Sequence, residues 1–119
     1  MSSVSIQAVS RVFETAKGQR TQALQPVDFE VRDNDFVTIL GPSGCGKSTL
    51  LRIVAGLDHA TSGRVLLDGV PVEGPGADRG MVFQSYTLFP WLTIEQNIRF
   101  GLRERGMPEA QQKERAAYF

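Results

Sequence analysis

A nine-residue glycine-rich loop constrains this chain more than any other part of its sequence. The loop reads GPSGCGKST over residues 41–49 and fits the pattern G-x-x-x-x-G-K-S/T. It follows an apolar, β-branched run over 36–40, which is typical of a strand buried on both faces. Apolar residues at helical spacing after the loop predict a helix over 48–57, which ends near Gly56. A strand, a glycine-rich turn and a helix in this order predict a P-loop in an α/β fold.

The residue types in this loop suit the binding of phosphate groups. Its glycines permit backbone conformations that turn several N–H groups toward one point, and the helix N-terminus adds partial positive charge. Lys47 is expected to bring an ammonium to the β- and γ-phosphates of a nucleotide, and the Ser48 hydroxyl to complete a Mg²⁺ shell. The alternative, a glycine turn with an accidental surface lysine, requires nine residues and both flanking elements to agree by chance. The predicted nucleotide-contacting residues are Gly41, Pro42, Ser43, Gly44, Cys45, Gly46, Lys47, Ser48 and Thr49. The loop by itself leaves kinases, GTPases and transport ATPases open.

Composition narrows the class of protein further. The 119 residues are 41% hydrophobic and 22% charged with zero formal net charge, which predicts one domain or less and no nucleic-acid-binding surface. No apolar run approaches the ~20 residues of a membrane span, and the N-terminus lacks the features of a signal peptide. The single cysteine, Cys45, excludes an internal disulfide framework and a multi-cysteine zinc site. These features predict a cytosolic protein.

Hydrophobic patterning and turn residues predict the remaining elements. Asp68-Gly69 is a strong hairpin signal, Gly18 is expected to turn a polar hairpin loop, and Thr93 is expected to cap a helix. The predicted strands are 4–13, 24–31, 36–40, 64–67, 70–72 and 80–84, and the predicted helices are 48–57, 95–101 and 107–119, the last starting near Pro108.

Several stretches together resemble the first half of an ABC transporter ATPase. They are 41–57, Ser62-Gly63, Asp68-Gly69 and 81–84. Within that family, residues 74–80 and 88–93 are similar to the nitrate, sulfonate and taurine importer group. The resemblance covers almost the whole chain. It implies that residues 1–119 are an incomplete α/β P-loop NTPase domain, with an antiparallel β subdomain followed by the start of a RecA-like core.

The resemblance also implies roles for two residues outside the P-loop. Phe13 matches the aromatic position that stacks on adenine, where the family more often has tyrosine; a place in the core is the alternative. Gln84 matches the glutamine whose side-chain oxygen approaches Mg²⁺ and the attacking water, unless it is simply a polar strand end. Lys47 and Gln84 are therefore the expected catalytic residues, and Ser48 and Gln84 the expected Mg²⁺ ligands.

The loop after Gln84 is expected to bind a partner. It carries Leu88, Phe89 and Trp91 around Pro90, and such crowding of apolar side chains in a loop suggests a docking surface. In the family, this region meets a helix of the membrane-spanning permease subunit. The competing interpretation folds Leu88 and Trp91 back into the core. The resemblance further implies a second ATPase subunit, an indirect relationship with an extracytoplasmic binding protein, and a peripheral location on the cytoplasmic face of the membrane.

The hydrolytic half of the family's domain is not found in these 119 residues. By the resemblance, the family's signature loop (Leu-Ser-Gly-Gly-Gln), Asp-Glu strand and switch histidine would all lie downstream of Phe119. We therefore expect a fragment that binds ATP and Mg²⁺ without hydrolysing ATP, whose core sheet lacks strands and exposes apolar faces. Two alternatives stay open: an energy-coupling ATPase whose sequence is incomplete, and a non-hydrolysing nucleotide-binding module. A small-molecule kinase is disfavoured by Gln84 and its flanking loop.

Overall fold

The computed structural model describes residues 2–44, 46–85 and 87–118, and it divides into two compact units. The first unit ends at Met81 and the second begins at Val82; each is described by itself. The elements of the first unit are β1 (Val4–Glu14), β2 (Arg20–Val31), α1 (Lys47–Ala55), β3 (Ser62–Leu67) and β4 (Val70–Pro71). The second unit contains α2 (Ile94–Glu104) and α3 (Glu109–Tyr118).

The first unit is built on an antiparallel sheet with the strand order β2-β1-β3-β4. β1 lies in the centre, where Val4 pairs with Val31 on one side and with Leu67 on the other. Both predicted hairpins are present. Gly18 turns the first at φ 79°, and Asp68 and Gly69 turn the second at φ 50° and 81°. Two successive positive φ angles match the twist of antiparallel strands, which is why an Asp-Gly pair favours this turn.

A β-bulge in the middle of β1 bends the sheet. The pairing register shifts between Ile6 and Val9, and Ala8 adopts φ 48° while its N–H donates to Asp28 Oδ1 at 2.7 Å. Gly63 of β3 lies directly against this bulge, where a side chain would overlap the Ala8 carbonyl. The bulge therefore requires a glycine on the neighbouring strand.

Helix α1 packs on this sheet and completes a small core. Leu50 and Ile53, one turn apart on the helix, contact the inward face of the sheet. Leu51 and Leu57 remain half exposed, although their spacing also fits a helical face. The buried cluster consists of Ile6, Val9, Leu24, Leu50, Ile53 and Val65.

Two predicted strands do not form. The segments 36–40 and 80–84 have no regular secondary structure, and all of their large apolar side chains except Met81 are exposed, Phe36 by 95% and Val82 by 97%. A β-strand is stabilised by hydrogen bonds to a neighbouring strand, and every pairing among the described residues is antiparallel and involves only β1 to β4. Without a ladder partner, β propensity alone leaves these segments without regular secondary structure. The prediction of buried strands here was wrong for this structure.

The second unit is a pair of helices joined by a short turn. Arg99 of α2 donates through Nε and Nη2 to Gln112 Oε1 of α3, at 3.3 and 3.2 Å. Gln112 is buried, and its Nε2 donates to the Met107 carbonyl at 2.6 Å, which anchors α3 to the turn before it. Both predicted helices are confirmed, with α2 running further than the expected 95–101. In the part of the chain that is described, no helix is long and apolar enough to cross a membrane.

Candidate nucleotide-binding site

Two glycines give the P-loop its conformation. Gly44 adopts φ 81°, and Gly46 adopts φ 100° at the position that precedes the first residue of α1. A Cβ at Gly46 would lie 2.5 Å from the Ala23 carbonyl oxygen and 3.0 Å from Leu24 Cδ1. Residue 46 therefore has to be glycine for two reasons, its left-handed backbone and the close approach of β2.

Lys47 folds back over the start of the loop. Its Nζ donates to the carbonyl oxygens of Gly41 and Pro42, the latter at 3.0 Å. The side chain is half buried, whereas Gly41, Pro42 and the two residues after them are exposed. The ammonium is thus held against backbone oxygens of the loop, which places a positive charge beside the N-terminus of α1.

The N-terminus of α1 differs from that of α2 in how its N–H groups are satisfied. α2 begins with a complete capping box, in which the Thr93 side chain accepts from the Gln96 N–H and the Gln96 side chain accepts from the Thr93 N–H. Among the described residues, α1 has no side-chain cap and no acidic residue in its first turn. The first N–H groups of a helix lack intrahelical partners, and an anion satisfies them while also interacting favourably with the helix dipole.

The hydroxyl-bearing residues of the loop have different environments. Ser48, in the first turn of α1, is exposed, while Thr49 is half buried and Leu50 after it is buried in the core. Ser43 is also exposed. An exposed hydroxyl beside the uncapped N-terminus is suited to coordinate a divalent cation that accompanies a phosphate group. Cys45 lies outside the described residues.

Phe13 lies near the end of β1, in the same unit as the P-loop. Its ring is 43% exposed, so it is not a core residue as the alternative supposed. The guanidinium carbon of Arg11 lies 4.5 Å from the ring centroid, over one face of the ring. A partly exposed aromatic ring that is held on one side can stack with a planar group on the other.

Gln84 lies in the second unit, whereas the P-loop lies in the first. It is exposed and belongs to no helix or strand. The alternative interpretation, in which Gln84 is simply the polar end of a strand, is therefore wrong because no strand forms there. The role of Gln84 at Mg²⁺ stays a prediction.

The loop from Leu88 to Trp91 presents apolar side chains to solvent. Leu88 is 66% exposed and Trp91 is 75% exposed, which contradicts the interpretation that they fold back into the core. Phe89 is half buried between two other rings, with centroid distances of 5.2 Å to Trp91 and 4.5 Å to Phe100. The loop therefore has an anchored aromatic residue flanked by two exposed apolar ones.

Asn97 holds this loop in place, and sequence reasoning missed it. Its Oδ1 accepts from the Phe89 N–H at 2.8 Å, and its Nδ2 donates to the carbonyls of Phe89, Leu92 and Thr93 at 3.2, 3.3 and 2.9 Å. Asparagine is a weak helix former because its side chain competes for backbone groups. An asparagine within the predicted helix, four residues after its N-cap, was the available signal.

The fold and the loop together define a class of protein. The glycine-rich loop that runs into helix α1 at its lysine is the loop-and-helix part of the P-loop motif, and an antiparallel sheet packs beside it. Residues 24–119 match the family model described as ABC transporter, and the chain belongs to this family.

Similar proteins include ATP-binding proteins of ABC transporters. An uncharacterised ABC transporter ATP-binding protein of Methanocaldococcus jannaschii is 53% identical over 114 residues, which cover 96% of this chain and 42% of the relative. The nitrate import ATP-binding protein NrtD of Synechocystis is 48% identical over 93% of this chain and 41% of the relative. A taurine import ATP-binding protein TauB of Burkholderia pseudomallei is 51% identical over 90% of this chain and 41% of the relative. This chain thus spans about two fifths of the length of the curated relatives it matches.

Solved structures support the same assignment. A dimeric ATP-binding cassette in a post-hydrolysis state with ADP and Pi superimposes with a TM-score of 0.83 at 30% identity, over 97% of this chain and 54% of that chain. Another dimeric structure of a bacterial ABC transporter cassette gives a TM-score of 0.85 at 29% identity, over the same shares of the two chains. The chain is therefore a partial ABC ATPase fold.

Proposed function

We propose that this chain binds ATP with Mg²⁺ through its P-loop, as the front part of the energy-coupling ATPase subunit of an ABC importer. The observation that carries the proposal is the uncapped N-terminus of α1, which starts at Gly46 and Lys47 in a glycine-rich loop. Backbone N–H groups, the helix dipole and the Lys47 ammonium would all favour a polyphosphate at this point.

The residues present fit a magnesium ion beside the phosphates. The Ser48 hydroxyl is exposed in the first turn of α1 and is a hard oxygen ligand of the kind Mg²⁺ prefers. Gln84 would supply a second side-chain oxygen. When bound, the ion supplies positive charge that offsets the charge of the β- and γ-phosphates.

The transported solute is proposed from similarity alone. The nitrate import and taurine import proteins are related over about nine tenths of this chain or more. Their names support an importer of nitrate, taurine, a sulfonate or a similar small solute. The described part of the chain has no feature that would select among these, because importers choose their solute through the permease and the binding protein.

The partners follow from the same proposal. The permease would dock on the loop from Leu88 to Trp91, and a second ATPase subunit would complete a cassette dimer of the kind seen in the solved relatives. The extracytoplasmic binding protein would act through the permease. The subunit would sit on the cytoplasmic face of the membrane, and it would not bind nucleic acid.

A non-hydrolysing nucleotide-binding module is the second candidate. The exposed apolar segments 36–40 and 80–84 favour it, since the strands of a parallel core sheet are normally covered on both faces. The genomic sequence downstream distinguishes the two candidates. A signature loop and an Asp-Glu strand in frame would support the importer ATPase, and their absence would support the module.

Titration calorimetry with ATP and Mg²⁺ tests nucleotide binding directly. Lys47→Ala is expected to weaken binding by about 1.5–3 kcal/mol, the usual range for a lost charged hydrogen bond. Ser48→Ala should weaken ATP binding in Mg²⁺ but leave binding in EDTA unchanged. Lys113→Ala, which removes an exposed lysine from α3, serves as the matched control and should bind like the wild type. Equal affinity of the wild type and Lys47→Ala would show that the P-loop assignment is wrong.

A further inference from the structure

One face of the Phe13 ring contacts an ion pair between a residue of the same strand and a residue beyond α1. Arg11, two residues earlier in β1, places its guanidinium over the ring and extends Nη2 to Asp58 Oδ1 at 3.2 Å. The side chains of Arg11 and Asp58 are only 25% and 22% exposed, so water screens the pair weakly. Asp58 therefore pairs with the guanidinium of Arg11, and that guanidinium lies over the ring of Phe13.

Asp58 lies three residues after the last residue of α1, the helix that begins at the P-loop. The turn of α1 into this segment is made by Gly56 at φ 82°, with the Leu57 N–H donating to the Arg52 carbonyl at 2.9 Å. Thr61 then attaches the segment to β1, because its Oγ1 accepts from the Val12 N–H at 2.9 Å and its N–H donates to the Ser10 carbonyl at 2.8 Å. The end of the phosphate-binding helix is thus fastened to the strand that carries Phe13.

The position of Arg11 depends on few contacts. Its buried Nε makes no hydrogen bond with any described residue. The guanidinium is therefore placed by the carboxylate of Asp58 and the face of Phe13, and removal of either should release it.

We propose that Arg11, anchored by Asp58, is a positioning residue that fixes the Phe13 ring as a platform for the purine base of a nucleotide. This inference rests on the proposed function. Arg11 occupies one face of the ring, so the base is directed to the opposite face. A ring that is already ordered loses less side-chain entropy when a ligand stacks on it, which increases the affinity for ligands with a base and not for ligands without one.

The test compares ATP with inorganic tripolyphosphate, which carries the phosphates without a base. Calorimetric titration of the chain in Mg²⁺ should give tighter binding of ATP than of tripolyphosphate. Arg11→Ala is expected to weaken ATP binding roughly two- to tenfold, the equivalent of one ordered side chain, while tripolyphosphate binding is unchanged. Arg11→Lys, which keeps a cation near the ring, should recover part of the loss.

Two further variants separate positioning from folding. In the wild type, Asp58 Oδ1 accepts a hydrogen bond from the His59 N–H at 2.8 Å. Asp58→Asn removes the charge but keeps an oxygen that can accept this hydrogen bond. Like Arg11→Ala, it should weaken ATP binding. Arg64→Ala removes an arginine of β3 that donates to Gln7 and should bind both ligands normally. Equal losses for ATP and tripolyphosphate, or no loss in either Arg11→Ala or Asp58→Asn, would overturn the proposal. Wild-type protein that binds ATP no better than tripolyphosphate would refute the base platform, whereas failure to bind either ligand would refute the proposed function itself.

Discussion

Gly56 at the end of α1 lies against the backbone of Gly74, 18 residues further along the chain. A Cβ at residue 56 would overlap the Gly74 carbonyl and lie 2.7 Å from the Pro75 nitrogen. Gly56 also adopts φ 82° and is buried, and its N–H donates to the Ile53 carbonyl at 3.1 Å. The helix that starts at the P-loop therefore ends where only a glycine allows the 74–76 loop to cross it.

Gly56→Ala should destabilise the first unit strongly. The left-handed backbone alone costs an alanine about 1–2 kcal/mol, and the overlap with backbone atoms adds to this because no flexible side chain can move away. Gly69→Ala is the matched control, since Gly69 has φ 81° with open space around its Cβ position. Urea denaturation should show a larger loss of unfolding free energy for Gly56→Ala than for Gly69→Ala. Equal losses of unfolding free energy in the two variants would mean that the contact of Gly56 with the 74–76 loop adds nothing to the cost.

Asn97→Ala should loosen the loop between Phe89 and Thr93. The substitution removes one hydrogen bond that the side chain accepts and three that it donates. Because this leaves backbone groups of the loop without partners, the free energy of unfolding should fall by about 1–3 kcal/mol. Amide hydrogen exchange should be faster at Phe89, whose N–H loses its acceptor. Gln111→Ala, at an exposed position of α3, should leave that exchange unchanged. Unaltered protection of Phe89 in Asn97→Ala would contradict the role assigned to Asn97.

Trp91→Ala should separate permease binding from nucleotide binding. Trp91 is largely exposed, so its removal should leave the fold and the ATP affinity close to normal. Truncation of an aromatic anchor at an interface often costs about 2 kcal/mol or more of binding free energy. The complete protein carrying Trp91→Ala should therefore lose its complex with the permease, or its transport activity. The control is Val70→Ala, which truncates an exposed apolar residue of β4.

Phe89→Ala should affect both the interface and the fold, because the Phe89 ring also packs on Phe100 at 4.5 Å. Thermal unfolding of each variant should accompany the binding assay. Normal assembly and transport in Trp91→Ala and Phe89→Ala would show that this loop is not the docking surface. Unfolding of both would show that their role is structural.

The 119-residue chain should bind ATP without turning it over. Its sequence contains no signature loop and no Asp-Glu strand, and we expect no general base for the attacking water. Steady-state phosphate release should therefore equal that of Lys47→Ala. Turnover at the usual enzyme scale of about 1–10³ s⁻¹, abolished in Lys47→Ala, would establish that these residues suffice for hydrolysis.

The features that could be predicted from the sequence depend on residues close together in the chain. A helix after the glycine-rich loop, the turn at Asp68-Gly69 and the cap of α2 at Thr93 all appear in the structure, although α1 begins at Lys47, one residue before the predicted start at Ser48. Each results from backbone preferences and hydrogen bonds within about four residues, so neighbouring side chains suffice to determine it. The prediction of phosphate binding at the loop also depends on neighbouring residues, because the helix N-terminus and the glycines are adjacent in the chain.

Other features were decided only by the tertiary structure. The segment 36–40 has the composition of a buried strand, but strand formation depends on a partner whose position its own residues do not specify. The contact of Arg11 with Asp58 joins residues 47 positions apart, and the contact of Gly56 with Gly74 depends on where a separate loop crosses the helix. Local sequence determined which groups could bind phosphate. Long-range packing decided what supports the Phe13 ring and which apolar residues remain exposed, because these depend on distances between segments that no local preference determines.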